Sequence, residues 1–226
     1  MRVAEMTGIR RPQTSALVTI IAKQCSVDRP RILVVGCGRG VEAAVLAHDL
    51  DADVTGIDLD SRFDRDAALY ANFRQGDATA LDFGDQSFDI VYSYHALEHI
   101  PDYDAALGEM RRVLREGGLW CIGTPNRARL LGYVGGGSSW REKLAWNWTD
   151  WRMRLTGRFR NEHGAHAGYT SRELRGILGR HFSVVDEITQ DYYRRLYARR
   201  GWIISLLIVS GAGRWLFPSV YFLGRR

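Results

Sequence analysis

The first half of the chain alternates short apolar runs with amphipathic ones, and the period of the pattern switches between them. Residues 32–35 are continuously apolar, as a strand buried on both faces requires. Residues 41–47 follow, after a glycine turn, as a helical run. Residues 53–58, 73–77, 88–93 and 119–124 predict four more strands, the 73–77 strand ending in Asp77. Between the last two, Leu107, Met110, Val113 and Leu114 keep helical spacing, which predicts a helix over 104–115 ended by Gly117 and Gly118. Upstream, the apolar run 16–22 predicts a helix capped by Thr14 or Ser15 that covers the sheet. Strand–helix alternation of this kind builds an α/β fold, a parallel sheet with helices on both faces.

The first turn is also the first candidate for chemistry. It reads Gly36-Cys37-Gly38-Arg39-Gly40. Glycines admit close approach of a ligand, and the free N–H groups of the following helix face it. A dinucleotide fingerprint needs glycine or alanine one residue later, where Val41 stands. The second strand ends in Asp58, about twenty residues on, where a carboxylate can accept two hydrogen bonds from ribose hydroxyls. The shifted glycine and this acid point to S-adenosylmethionine rather than NAD.

With segments 32–40, 55–60, 76–93, 110–126 and the run His95-Ala-Leu-Glu-His-Ile-Pro-Asp102 in order, the chain resembles the class I S-adenosylmethionine-dependent methyltransferases of the type 11 kind. The resemblance covers residues 30–126. It implies a Rossmann-like, seven-stranded, mostly parallel sheet with an antiparallel last strand, and S-adenosylmethionine as cofactor. It also implies cofactor contacts from Gly36, Cys37, Gly38, Gly40, Asp58, Leu59, Asp77, Ala78 and Ser93, with Asp77 and Ala78 bordering the adenine. The family commonly has an acid two residues before the first glycine, where this chain has Val34. Backbone carbonyls near Gly36 or Ser93 are the expected substitutes for holding the methionine amino group. The terminal strands of the fold are expected at 182–189 and 219–224.

A chain of 226 residues suits one domain. That domain is expected to carry a Trp/Arg-rich insertion at about 127–168 and a hydrophobic one at about 194–217. The cysteines Cys25, Cys37 and Cys121 form no C-x-x-C pattern and read as reduced thiols of a cytoplasmic protein. A net charge of +5 is too mild to argue for nucleic acid by itself, but arginines gather in the C-terminal part.

Within the first insertion, residues 135–139 read as a flexible turn. Beyond it Trp140, Leu144, Trp148, Trp151 and Leu155 share a helical face, with Arg141, Lys143, Arg152 and Arg154 largely off it. Either this face packs on the domain or it lies in a membrane interface, where tryptophan and arginine favour the headgroup boundary. In the second insertion, residues 202–213 are uncharged until Arg214, too short to span a bilayer, which needs about 20 residues. Arg194, Arg195, Arg199 and Arg200 precede them and suit anionic headgroups. The expected partners are a small-molecule or lipid-linked acceptor and an anionic membrane surface, with a cytoplasmic or peripheral inner-membrane location. Oligomeric state stays open. So do an RNA methyltransferase that uses the Arg/Trp-rich segment, N- or C-methylation of a small molecule, and a non-catalytic cofactor-binding protein. Thr124-Pro-Asn-Arg127, the histidine-bearing loop and the Thr/Ser-x-x-Glu helix start at 170–173 are similar to quinone-biosynthesis O-methyltransferases.

Methylation of a hydroxyl requires loss of its proton, and histidine is the natural base near neutral pH. His48 and His181 read as structural. His95 follows the fourth strand at the carboxyl edge of the sheet, and His99 lies one turn on. His163 and His166 sit on the loop expected to close over the substrate. The catalytic candidates are His166 and His95. Glu162, His163 and His166 lack a further well-spaced ligand, so no metal site is expected. Asn126 is expected to face the pocket.

Overall fold

The structure, a computed structural model, describes residues 12–132, 139–163 and 166–226. Most of the expected turn at 135–139 lies outside the described residues. Seven strands form one sheet in the order β3-β2-β1-β4-β5-β7-β6. β1 (Arg31–Val35) runs parallel to β2 (Asp53–Asp58) on one side and to β4 (Phe88–Tyr94) on the other. β3 (Asn72–Gln75) extends the first side, and β5 (Leu114–Pro125) the second. β7 (Ser219–Arg225) inserts antiparallel between β5 and β6 (Asp186–Glu187). The strand order reverses between β1 and β4, so their carboxyl ends diverge into a crevice where sheets of this type hold ligands.

Alternate residues of β1 feed two cores, which is why the run has no polar position. Ile32 and Val34 join a cluster with Leu17 of α1 (Pro12–Gln24), Leu46 of α2 (Val41–Asp49) and Tyr192 of α6 (Thr189–Leu196). Leu33 and Val35 join the opposite cluster with Met110 of α3 (Tyr103–Val113) and Leu174 of α5 (Ser171–Leu178). The sheet is thus covered on both faces, the arrangement that the alternation predicts.

Several boundaries differ from expectation. Among the described residues α1 already runs through Pro12–Gln24, so Thr14 and Ser15 lie inside it rather than capping it. β3 stops at Gln75, two residues before Asp77. α3 ends at Val113 and passes directly into β5. Gly117 and Gly118 therefore lie within the strand, where the pairing with β4 shifts register between Phe88 and Ile90. A Cβ on Gly118 would stand 3.0 Å from the Asp89 carbonyl oxygen, so close backbone approach, not helix termination, requires glycine there. Of the expected strand 182–189 only Asp186–Glu187 pairs, and Phe182 stacks on Trp120 with ring centroids 4.6 Å apart.

The two insertions are helical. α4 (Trp140–Leu155) begins with a reciprocal capping box between Ser139 and Glu142. α7 (Gly201–Val209) and α8 (Gly213–Leu216) fill the interval between α6 and β7. No helix among the described residues is long and apolar enough to cross a membrane.

Candidate active site

The β1–α2 turn is held by the end of β2. The Gly38 N–H donates to Asp58 Oδ2 at 2.7 Å, and the Asp60 N–H donates to Asp58 Oδ1 at 3.0 Å. Each carboxylate oxygen keeps a second lone pair, so Asp58 can still accept from a ligand diol. The three glycines differ in what they face. A Cβ on Gly36 would stand 2.1 Å from Ala96 Cβ, and one on Gly40 would stand 2.4 Å from Phe73 Cζ. Gly38, at φ +53°, would meet nothing within 4 Å. Protein packing explains glycine at 36 and 40, whereas position 38 borders open space. Beside the turn, at the end of β4, the Ser93 hydroxyl is buried and has no hydrogen-bond partner. A polar group in that state is costly unless something pairs with it. An open glycine, a strand-end carboxylate and an unpartnered hydroxyl fit the amino-acid and ribose parts of S-adenosylmethionine.

The remaining cofactor candidates take distinct places. Leu59 is 70% exposed next to Asp58 and presents apolar surface. Asp77 is exposed, and its Oδ1 accepts from the Thr79 N–H and hydroxyl, each at 2.8 Å, which holds the carboxyl below its ordinary pKa. Ala78 is buried behind it. Burial, then the charge of Asp58, pushes the Cys37 thiol up to about 12, so it is no nucleophile at neutral pH.

A second space opens next to this cradle. Tyr94, His95, Arg129, His166, Tyr192 and Tyr221 are among the walls of a cleft of about 440 Å³. His95 directly precedes Ala96, the residue that Gly36 packs on, so the end of β4 borders both the turn and the cleft. The His95 backbone is left-handed, φ +52°, and its N–H donates to the Gly123 carbonyl at 2.9 Å. Its Nε2 lies 3.0 Å from Ser219 Oγ. Part of the side chain opens to the cleft. The protein around it nevertheless excludes enough water, with the charges of Arg129, His166 and His99 adding to the effect, to pull its pKa to about 3. Neutral imidazole is therefore its working form. Burial pushes the Tyr94 phenol up to about 12, and Tyr193 and Tyr221 well above their ordinary value. The cleft thus offers hydroxyl groups and aromatic faces, not phenolate bases.

A family model described as a methyltransferase domain matches residues 33–122. A fatty-acid O-methyltransferase of Mycolicibacterium smegmatis is 42% identical over 103 residues, covering 43% of this chain and 38% of the relative. Residues 33–122 thus match a methyltransferase domain of the class I S-adenosylmethionine-dependent kind. A 2-methyl-6-phytyl-1,4-hydroquinone methyltransferase of Synechocystis is 36% identical over 102 residues, covering 42% of this chain and 32% of that relative. The matches thus span about a third of the length of these curated relatives. Among solved structures, phosphoethanolamine N-methyltransferase 2 of Haemonchus contortus in complex with S-adenosyl-L-methionine aligns at TM-score 0.56. That match is 18% identical and covers 94% of this chain and 52% of the other. It shows the shared fold.

The other polar candidates of the methyltransferase domain are structural. His48 Nδ1 pairs with Asp49 at 2.8 Å, and His181 Nε2 with Asp104 at 2.8 Å. Asn126 does not serve the pocket with its amide. Its Nδ2 donates to the Arg214 and Phe217 carbonyls, and its Oδ1 accepts from the Ala128 N–H. It fastens one insertion to the other. Sequence reasoning passed over Glu98, which is 4% exposed with neither carboxylate oxygen hydrogen-bonded. It also passed over the tyrosines of the cleft, which arrive from β4, α6 and β7 and share no sequence spacing.

Helix α4 is turned so that its bonded side is polar. Asn147 pairs with the Gly132 backbone, Asp150 with Arg129, and Arg154 donates to the Arg127 and Arg129 carbonyls. Trp140, Leu144, Trp148 and Leu155 face outward, from 60% to 85% exposed. Of the two alternatives for this stripe, packing on the domain does not hold, because polar anchors occupy the inner face. Arg154 is likewise spent inward and does not join a cationic rim. Leu130 joins the two insertions: its carbonyl accepts from Trp151 Nε1 at 2.9 Å, and its N–H donates to the Trp215 carbonyl at 2.7 Å.

Proposed function

We propose that the chain transfers a methyl group from S-adenosylmethionine to an oxygen of a small, amphipathic, lipid-linked acceptor. The observation that carries this reading is that the Gly38–Asp58 cradle and an aromatic cleft bounded by His95 both lie at the carboxyl edge of the sheet, with His95 next in the chain to Ala96, on which Gly36 packs. The sulfonium cofactor, when bound, supplies a methyl group already activated for displacement. Gly38 and Asp58 would fix the cofactor, with Ser93 near its amino-acid end. The tyrosine walls would orient a ring or chain, and positioning of this kind supplies much of the acceleration.

His95 is the residue assigned to the acceptor hydroxyl. In the tautomer whose Nε2–H donates to Ser219 Oγ, Nδ1 keeps its lone pair. With a pKa of about 3 it is a weak base, so it serves mainly as a hydrogen-bond acceptor that directs the oxygen. The O–H proton passes on to water as the new O–C bond forms and the S–C bond breaks.

A lipid-linked acceptor suits the exposed face made by α4, Leu130, Trp215 and α7, where Trp202, Leu206 and Val209 are 74%, 60% and 85% exposed. Arg152, Arg194, Arg199 and Arg200 are exposed near the same insertions. An apolar face with tryptophan and arginine fits an anionic membrane surface. RNA is the weaker fit, because Arg127, Arg129 and Arg154 turn inward onto carbonyls and carboxylates. Mass spectrometry of lipid and aqueous extracts incubated with the protein and methyl-labelled S-adenosylmethionine tests the reading. Label in an organic-phase product with an O-methyl fragment supports it; label confined to RNA or to no product contradicts it.

A further inference from the structure

We propose that Glu98, His99 and His166 form a binding site for a divalent transition-metal cation of the zinc class. Glu98 and His99 lie in the short turn Leu97–His99 after β4, and His166 arrives from the loop before α5. One donor atom from each of the three lies within 4.8 Å of the others. His99 Nε2 is 3.9 Å from Glu98 Oε1, and the His99 and His166 rings stand nearly perpendicular with centroids 4.7 Å apart.

The independent sign of a ligand is Glu98. Its carboxyl group is buried, and neither oxygen has a hydrogen-bond partner. A carboxylate in that position calls for a cation or a proton. The charge of Arg129 acts on it, but Arg129 is already engaged by Asp150 at 2.9 Å. Two imidazoles and one carboxylate are the donor set of an open zinc site, which keeps a fourth position for water or substrate. Metal–ligand bonds of about 2.0–2.2 Å require the donors to draw together. His99 and His166 are both exposed and have room to turn.

The placement gives such a cation a use that rests on the methyl-transfer reading. His166 borders the His95 cleft, whereas Glu98 and His99 border a second cleft of about 990 Å³. A cation between them would stand at the acceptor side, where a coordinated hydroxyl loses its proton more readily. His95, held neutral, supplies little of that help. The sequence hid this set because Glu98 and His99 stand far along the chain from His166.

The test uses the full chain, stripped with a chelator and titrated with zinc by calorimetry and with cobalt by visible absorption. One equivalent should bind, with the intense bands of low-coordinate cobalt. Affinity should fall by about tenfold or more in Glu98→Gln and in His166→Ala, and stay unchanged in His48→Ala. His166 is exposed, so its variant keeps the test valid if Glu98→Gln does not fold. S-adenosylhomocysteine binding should persist in both ligand variants, which separates failure here from failure of the methyltransferase reading. No saturable binding to the parent, or affinity equal to the parent's in both ligand variants, overturns the site and leaves Glu98 as a buried neutral acid.

Discussion

Arg129 Nη2 donates to Asp150 Oδ2 at 2.9 Å, and the two side chains are only 5% and 11% exposed. This pair ties α4 to the segment leaving β5. Arg129 also donates to the His166 carbonyl at 3.0 Å, so one guanidinium links the insertion, the cleft wall and the end of the sheet. Removing one partner of a buried pair strands the other charge. Asp150→Ala is expected to destabilise the fold by about 3–5 kcal/mol. Urea unfolding followed by circular dichroism measures it. A loss within the scatter of surface substitutions, about 0.5 kcal/mol, would contradict the role given to the pair.

His95 should give stability a distinct pH dependence. Its folded pKa is about 3, against about 6.5 in the unfolded chain. Between those values the unfolded chain binds the extra proton, so the contribution is full above about pH 6.5 and is lost as pH falls toward 3. Replacing it by glutamine, which keeps a hydrogen-bonding partner for Ser219, should flatten the decline between about pH 7 and pH 5. Denaturant titrations at both values check this; an unchanged slope in His95→Gln would contradict it.

The outward face of α4 and α7 should bind membranes without crossing them. Flotation with anionic vesicles is expected to carry the parent protein, less so at high salt, and much less in Trp148→Ala/Trp202→Ala. Both side chains are more than half exposed, so the double variant should melt with the parent. Protein that stays below the gradient at low salt would turn the acceptor assignment toward a water-soluble molecule.

The fold was legible because its signals are local. Residues 32–35 are apolar without interruption, as a strand buried on both faces reads, and 88–93 break that pattern only at Asp89 and Ser93. The glycine turn and Asp58 were likewise legible, since their spacing reflects one strand–turn–helix unit. What stayed hidden is set by contacts distant in sequence. Phe182 stacks on Trp120 outside the paired part of its expected strand, and α4 exposed its tryptophans because Asn147, Asp150 and Arg154 found partners at 127–132. Nothing in the periodicity of 140–155 says which face is taken.

The cradle itself is most directly probed at Gly38, where a side chain would enter the open space beside Asp58 without touching protein. Isothermal titration with S-adenosylhomocysteine should show one saturable site in the parent. Gly38→Val should lose about tenfold or more in affinity while remaining folded by circular dichroism, since a left-handed valine costs about 1–3 kcal/mol of strain. Asp58→Asn, free of that strain, should weaken binding in the same direction. Folded Gly38→Val and Asp58→Asn proteins that bind S-adenosylhomocysteine as tightly as the parent would contradict the placement of the cofactor.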